Sequence, residues 1–170
     1  MSGMAQFMTV SVARFSRDWE EHFPGSAVPP FPHLPARATA GSAGYDFFAP
    51  QAFELAPGQS VTVPTGMRAR IDPGWVLMLF PRSGLGFKYR LQLNNTVGIV
   101  DADYFNALNE GHIFIRLTNA GEKALAVKAG EAFAQGVFLP FGLTVDDAAT
   151  GRRTGGFGST SANPQEKNDE

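Results

Sequence analysis

The chain has 170 residues, enough for one domain with a sizeable core, and 44% hydrophobic against 18% charged content excludes a disordered or fibrous chain. A net charge of −2 removes a global electrostatic footprint for nucleic acid, so any polyphosphate must be held locally by Arg, Lys, backbone N–H groups or a metal. Cys is absent, which excludes disulfides and cysteine metal sites; no apolar run is long enough to span a bilayer, residues 1–12 lack a signal-peptide pattern, and a soluble cytoplasmic protein is expected.

Nineteen Gly and twelve Pro, spread between short Val/Ile/Phe runs, predict an all-β domain. Alternation predicts a first strand over Phe7–Phe15. From Ser16 to Pro35 the character changes: residues 18–22 suit a helical turn, but Pro24, Pro29, Pro30, Pro32 and Pro35 forbid its continuation, and a surface excursion is expected. In Ala40–Asp46, small residues precede an aromatic and an acid, which suits a tight bend; read locally, Asp46 caps a turn equally well. Short strands follow over residues 53–55 and 67–71, with a turn at Asp72-Pro73-Gly74, and Trp75–Phe80 reads as a core strand.

Pro81-Arg82-Ser83-Gly84-Leu85 ends that strand with a cation, a hydroxyl and unencumbered N–H groups at one point, which suits an anionic oxygen, although a generic surface turn has the same composition. The stretch Asn95–Tyr104 gathers an amide, a glycine, two carboxylates and a ring. Alternation predicts strands at 91–93, 97–100 and 112–117, the last two joined as a β-hairpin with an enlarged loop over 105–111. In such a slot Asn95 offers donor and acceptor to a planar heterocycle, Gly98 permits close backbone approach, Asp101 is placed as a base, and Tyr104 supplies flat apolar area over or beside the ring. Taken alone, Asn95 and Asp101 read as turn caps. Residues 125–127 and 137–140 are further strands, with Gln135 at the start of the latter. At the C-terminal end, Arg152–Thr160 sets three glycines around Phe157, and 162–170 is polar.

In this order, Ala40–Asp46, Pro81–Leu85, Asn95–Tyr104, Lys128–Gln135 and Arg152–Thr160 resemble the five motifs of the trimeric dUTP pyrophosphatase (dUTPase) family. The resemblance implies a jelly-roll-like β-clip domain over 1–150, a flexible Gly-rich arm over 151–170, a homotrimer with active sites shared between subunits, and Mg²⁺-dependent hydrolysis of dUTP to dUMP and pyrophosphate. It implies that Asp101 activates the attacking water, that Asn95 and the backbone around Gly98 read uracil, and that Tyr104 packs on the deoxyribose and leaves no space for a 2′-hydroxyl. It assigns Arg82, Ser83, Gly84 and Gln135 to the phosphates, and Asp46 and Asp103 to supporting carboxylate roles. Arg152, Phe157, Gly158, Ser159 and Thr160 are assigned to the outer phosphates and to stacking on the base. Mg²⁺ is carried by substrate phosphates and water, with no direct protein ligand.

The sequence departs from the family pattern in the 16–35 insertion, the 105–111 expansion, Ala132 where a basic residue is usual, Arg153 where a small residue is common, and Ser161 for a frequent glycine. Two other readings compete: a dCTP deaminase-like enzyme of the same fold, and a trimeric dUTP-binding regulatory module that contacts a partner protein through the insertions.

Overall fold

Along β6 (Met67–Ile71), Met67, Ala69 and Ile71 are buried, while on the opposite face Arg68 is half-buried and Arg70 exposed, the two-residue period of a half-buried strand. The same rule builds most of the domain. A computed structural model describes residues 3–151 together with Arg153 and Gly155; the expectations placed on Arg152, Phe157, Gly158, Ser159 and Thr160 lie outside the described residues.

In chain order the strands are β1 (Ala5–Thr9), β2 (Ala36–Arg37), β3 (Tyr45–Phe48), β4 (Phe53–Leu55), β5 (Ser60–Pro64), β6, β7 (Trp75–Pro81), β8 (Leu91–Leu93), β9 (Gly98–Val100), β10 (Phe114–Asn119), β11 (Leu125–Val127) and β12 (Ala132–Pro140). One antiparallel sheet runs β2-β3-β12-β7-β9 and a second β5-β10-β8; β1 pairs with β6 and β11 with β4. Their inner faces enclose a core that includes Phe47, Leu77, Leu79, Ile113, Leu117 and Phe133, none more than 1% exposed. The expected all-β class is the observed one. Among the described residues no helix is long and apolar enough to cross a membrane.

The chain departs from expectation in three places. First, β1 stops at Thr9, and the helix α1 (Val12–His22) occupies the stretch expected to extend the strand to Phe15. Ser11 caps it, its Oγ accepting the Arg14 N–H at 3.1 Å. Four residues apart on one face, Phe15 and Trp19 are buried with Val10 against Phe23 and Phe31. The first part of the 16–35 insertion is therefore a docked helix and not a surface excursion.

Second, the strands at 98–100 and 114–119 do not form a hairpin. β9 pairs with β7 in one sheet, Leu79 opposite Gly98 and Leu77 opposite Val100, while β10 pairs with β5 and β8 in the other. The 105–111 segment is thus a crossover between sheets, entered through a 3-10 helix over Ala102–Asn106. At its end Gly111 has φ +68°, and a Cβ there would meet the Tyr104 carbonyl oxygen at 2.7 Å, so the crossover folds tightly onto its own start. Third, Arg82-Ser83-Gly84 opens a short helix, α2 (Ser83–Tyr89), in place of a simple turn.

Candidate active site

Because β8 and β9 belong to different sheets, the chain between them spreads open and leaves a slot. Leu79, Leu93, Asn94, Asn95, Gly98, Phe114 and Arg116 line a cavity of about 200 Å³ there. That is below the roughly 300–1,000 Å³ of sites for drug-sized ligands and suits a single small heterocycle. Asn95 and Gly98 thus stand where the sequence reading sets a planar ring. A Cβ on Gly98 would lie 3.0 Å from the Leu79 Cβ, so the glycine also allows β9 to seat on β7. Phe114 and Arg116 were not singled out as slot residues: they arrive from β10, and only the sheet pairing brings them to Asn95.

Asp101 and Tyr104 are not among the residues that line this cavity. They lie past the other end of β9; Gly98 to Asp101 spans three strand residues, roughly 10 Å. The Asp101 side chain is about half exposed. Arg153 Nη2 donates to Asp101 Oδ2 at 2.9 Å, its Nε lies 3.2 Å from Asp103 Oδ1, and its guanidinium carbon stands 5.4 Å from the Tyr104 ring centroid. At the sequence level Arg153 is only a departure from a small residue. In the structure it bridges the two carboxylates of the motif.

The Tyr104 ring is buried, and its hydroxyl donates to the His112 carbonyl at 2.7 Å while accepting from Asn109 Nδ2 at 2.7 Å. Burial pushes the phenol's pKa up, so the hydroxyl remains a donor throughout the neutral range. His112 is itself enclosed: Nε2 accepts the Gly66 N–H at 2.8 Å, and Nδ1 lies 2.5 Å from Asp18 Oδ2. The Gly66 contact fixes the tautomer with the proton on Nδ1, donated to Asp18. Arg14 completes the network, Nε donating to Asp18 Oδ2 at 3.0 Å and Nη2 to Oδ1 at 2.5 Å. Burial lowers the His112 pKa and outweighs the opposing pull of Asp18. Neither Asp18 nor His112 announces this role in the sequence, since 94 positions separate them.

The phosphate candidates form a second group. Arg82 Nη1 donates to Asp46 Oδ2, and Asp46 on β3 stands directly across from Gln135 on β12. Gln135 donates through Nε2 to the Pro81 carbonyl at 3.2 Å. Ser83 and Gly84 are exposed at the start of α2, where helix N–H groups have no intrahelical acceptor. So Asp46, Arg82, Ser83, Gly84 and Gln135 gather at one end of the five-stranded sheet. Asp101 follows Val100, which pairs with Leu77; Arg82 follows Pro81 at the opposite end of β7, roughly 20 Å away along the strand. Within one chain the two groups do not meet.

Comparison with known proteins places these features in one family. The dUTPase family profile matches residues 32–161. The deoxyuridine 5′-triphosphate nucleotidohydrolase of Lactococcus lactis subsp. lactis is 41% identical over 133 residues, 76% of this chain and 89% of that protein. That of Shigella sonnei is 45% identical over 133 residues, 74% and 85% of the two chains. Among solved structures, the dUTPase from Streptococcus mutans superposes with a TM-score of 0.61 at 37% identity, covering 81% of this chain and 97% of that one. The dUTPase from phage phi11 of S. aureus gives 0.63 at 19% identity over 88% and 97%, a likeness of fold. The matched segment spans the slot, the Asp101–Asp103 pair and the Arg82 group, and the chain belongs to the dUTPase family.

Proposed function

We propose that the protein hydrolyses dUTP to dUMP and pyrophosphate, with Asp101 as the base that activates water. The observation that carries this reading is the spacing along β9. A slot lined by Asn95 and Gly98 lies at one end and the half-exposed Asp101 carboxylate past the other, so a base held in the slot leaves its sugar and α-phosphate to run toward Asp101. Asn95 and the backbone at Gly98 read the uracil edge, and Tyr104 packs on the deoxyribose. Asp101 takes a proton as the water oxygen bonds to the α-phosphorus; the bond from that phosphorus to the bridging oxygen breaks, and pyrophosphate leaves. General-base assistance of this kind contributes about 10²–10⁴ in rate.

Arg82, Ser83, Gly84 and Gln135 serve the phosphate chain, where fixed donors stabilise charge as it develops. Their distance from Asp101 within one chain supports active sites assembled between copies, in a homotrimer, with the phosphate group of one subunit facing the Asp101 of another. Mg²⁺ would be carried by the substrate's phosphates and by water, where it would neutralise phosphate charge; Asp101 and Asp103, which share Arg153, would meet it through its waters and not as direct ligands. Among the described residues no group of three or more His, Asp or Glu forms a metal cage. Asp46 is held by Arg82 and acts as its support. The Arg152–Thr160 stretch is read as closing on base and outer phosphates, on the strength of the motif alone.

Pyrophosphate and ammonia release from dUTP, dCTP, dTTP and UTP, each with Mg²⁺, tests the reading. Pyrophosphate from dUTP, with dCTP, dTTP and UTP slower by about 10² or more, is the expected result. Ammonia from dCTP would establish the deaminase reading instead.

A further inference from the structure

We propose that Asp18, on a helix outside the family-matched segment, is a positioning residue that sets discrimination between 2′-deoxy and 2′-hydroxy substrates by fixing Tyr104 through His112. The proposal rests on the reading of Tyr104 as the residue against the sugar.

The helix α1 ends before residue 32, where the family match begins, yet its polar contacts converge on the crossover that follows Asp101. At its N-terminus, the Ser11 N–H and Oγ–H donate to the Glu110 carboxylate at 2.8 and 2.7 Å. About two turns further, Asp18 takes the His112 Nδ1–H at 2.5 Å, while Arg14 holds the same carboxylate from within the helix. His112 is thereby pinned at both ring nitrogens, since Gly66 donates to Nε2. From His112 the chain of bonds continues to the site: its carbonyl accepts the Tyr104 hydroxyl at 2.7 Å, and Asn109 Nδ2 donates to that hydroxyl at 2.7 Å and to the same carbonyl at 3.4 Å. Arg68 clamps the intervening segment, donating to the Phe105 carbonyl at 2.6 Å with its guanidinium carbon 3.7 Å from the Phe105 ring centroid.

The chemistry explains why such a brace matters. Excluding a hydroxyl on the sugar is a steric decision over a fraction of an ångström. Tyr104 sits on a five-residue 3-10 helix inside a crossover, an element too short to hold a ring that rigidly by its own hydrogen bonds. Asp18 and His112, 2% and 0% exposed, supply an anchor that water does not compete for. Removing the acceptor at position 18 frees the imidazole to rotate and the 112 carbonyl to shift, and the phenol follows.

The test measures kcat and KM for dUTP and UTP, with Tm alongside, in the full chain and in Asp18→Ala, Asp18→Asn, Glu110→Ala and Tyr104→Ala. Asp18→Ala is expected to raise the ratio of kcat/KM for UTP to that for dUTP by about tenfold, while kcat for dUTP changes by less than about threefold. Asp18→Asn, whose amide oxygen still accepts from Nδ1–H, restores most of the discrimination. Glu110→Ala removes a surface tie at no buried cost and raises the ratio by about threefold, so the test survives if Asp18→Ala fails to fold. An unchanged ratio in Glu110→Ala and in folded Asp18→Ala, beside a relaxed Tyr104→Ala, overturns the proposal and leaves the sugar reading intact. An unchanged ratio in Tyr104→Ala overturns the sugar reading and the proposal with it.

Discussion

Replacing Asp101 with Asn is expected to lower kcat for dUTP by about 10³ while dUTP binding stays within about threefold of the parent. The substitution keeps the shape of a side chain that is about half exposed past the end of β9 and removes its charge, and with it its capacity to take a proton. Interactions with base and sugar lie on other residues, so ground-state binding persists, and the loss falls on the step in which water attacks. Stability is expected to hold within about 1 kcal/mol, because the Asn side-chain oxygen still accepts from Arg153 in this part-buried pair. Single-turnover kinetics with a parallel binding titration checks the split; an Asp101→Asn enzyme at full kcat contradicts the assignment.

The second large effect falls on stability. His112→Ala is expected to destabilise the fold by about 3–5 kcal/mol, since it leaves Asp18 buried without its imidazole donor and the Gly66 N–H without its acceptor. For a chain of this size that is a Tm loss of about 6–20 °C. The same residue gives the parent protein an acid limb. Burial holds the folded His112 pKa below the unfolded value of about 6.5, so the unfolded chain binds more protons in that window. The stability linked to His112 is fully present above about pH 6.5 and is lost as pH falls below it toward the folded pKa. The charged groups that face the ring network are Asp18, Arg14 and Glu110. Thermal unfolding from about pH 8 to 5 should show a falling Tm in the parent and a shallower fall in His112→Gln, which carries no titrating ring. Equal slopes in the two proteins contradict the assignment.

Much of the scaffold is legible in the sequence wherever burial follows a local period. β6 and β11 occupy the residues marked in the sequence, Met67-Arg68-Ala69-Arg70-Ile71 carrying its own inside and outside, and β7, marked by its apolar run, extends one residue past it to Pro81. α1 is hidden because Met8, Val10 and Val12, alternating with Thr9 and Ser11, continue the strand pattern, and the helical stripe consists of little more than Phe15 and Trp19. The Ser11 cap was a readable signal, though without a Glu or Gln at the third helical position it is weak. The separation of β9 from β10 is not local at all. It depends on which strands capture each one, and β7 and β5 lie far away in the chain.

The candidate site divides in the same way. Motif order was enough to name the family and to single out Asn95, Gly98, Asp101 and the Arg82 group, but it carries no distances. That Asn95 and Asp101 stand at opposite ends of β9, that Arg82 lies at the far end of β7, and that Arg153 bridges Asp101 and Asp103 all follow from sheet register and from where the chain returns. The support behind Tyr104 was the least visible part, because Asp18 and His112 are polar residues whose meaning comes only from being enclosed together.

The measurement that bears most directly on the account is the fate of solvent oxygen when dUTP is hydrolysed in ¹⁸O-labelled water over a single turnover. Water attack on the α-phosphorus, as Asp101 is placed to direct it, puts the label in dUMP and none in pyrophosphate. Label recovered in pyrophosphate would mean attack at the β-phosphorus, and the role given to Asp101 would fail with it.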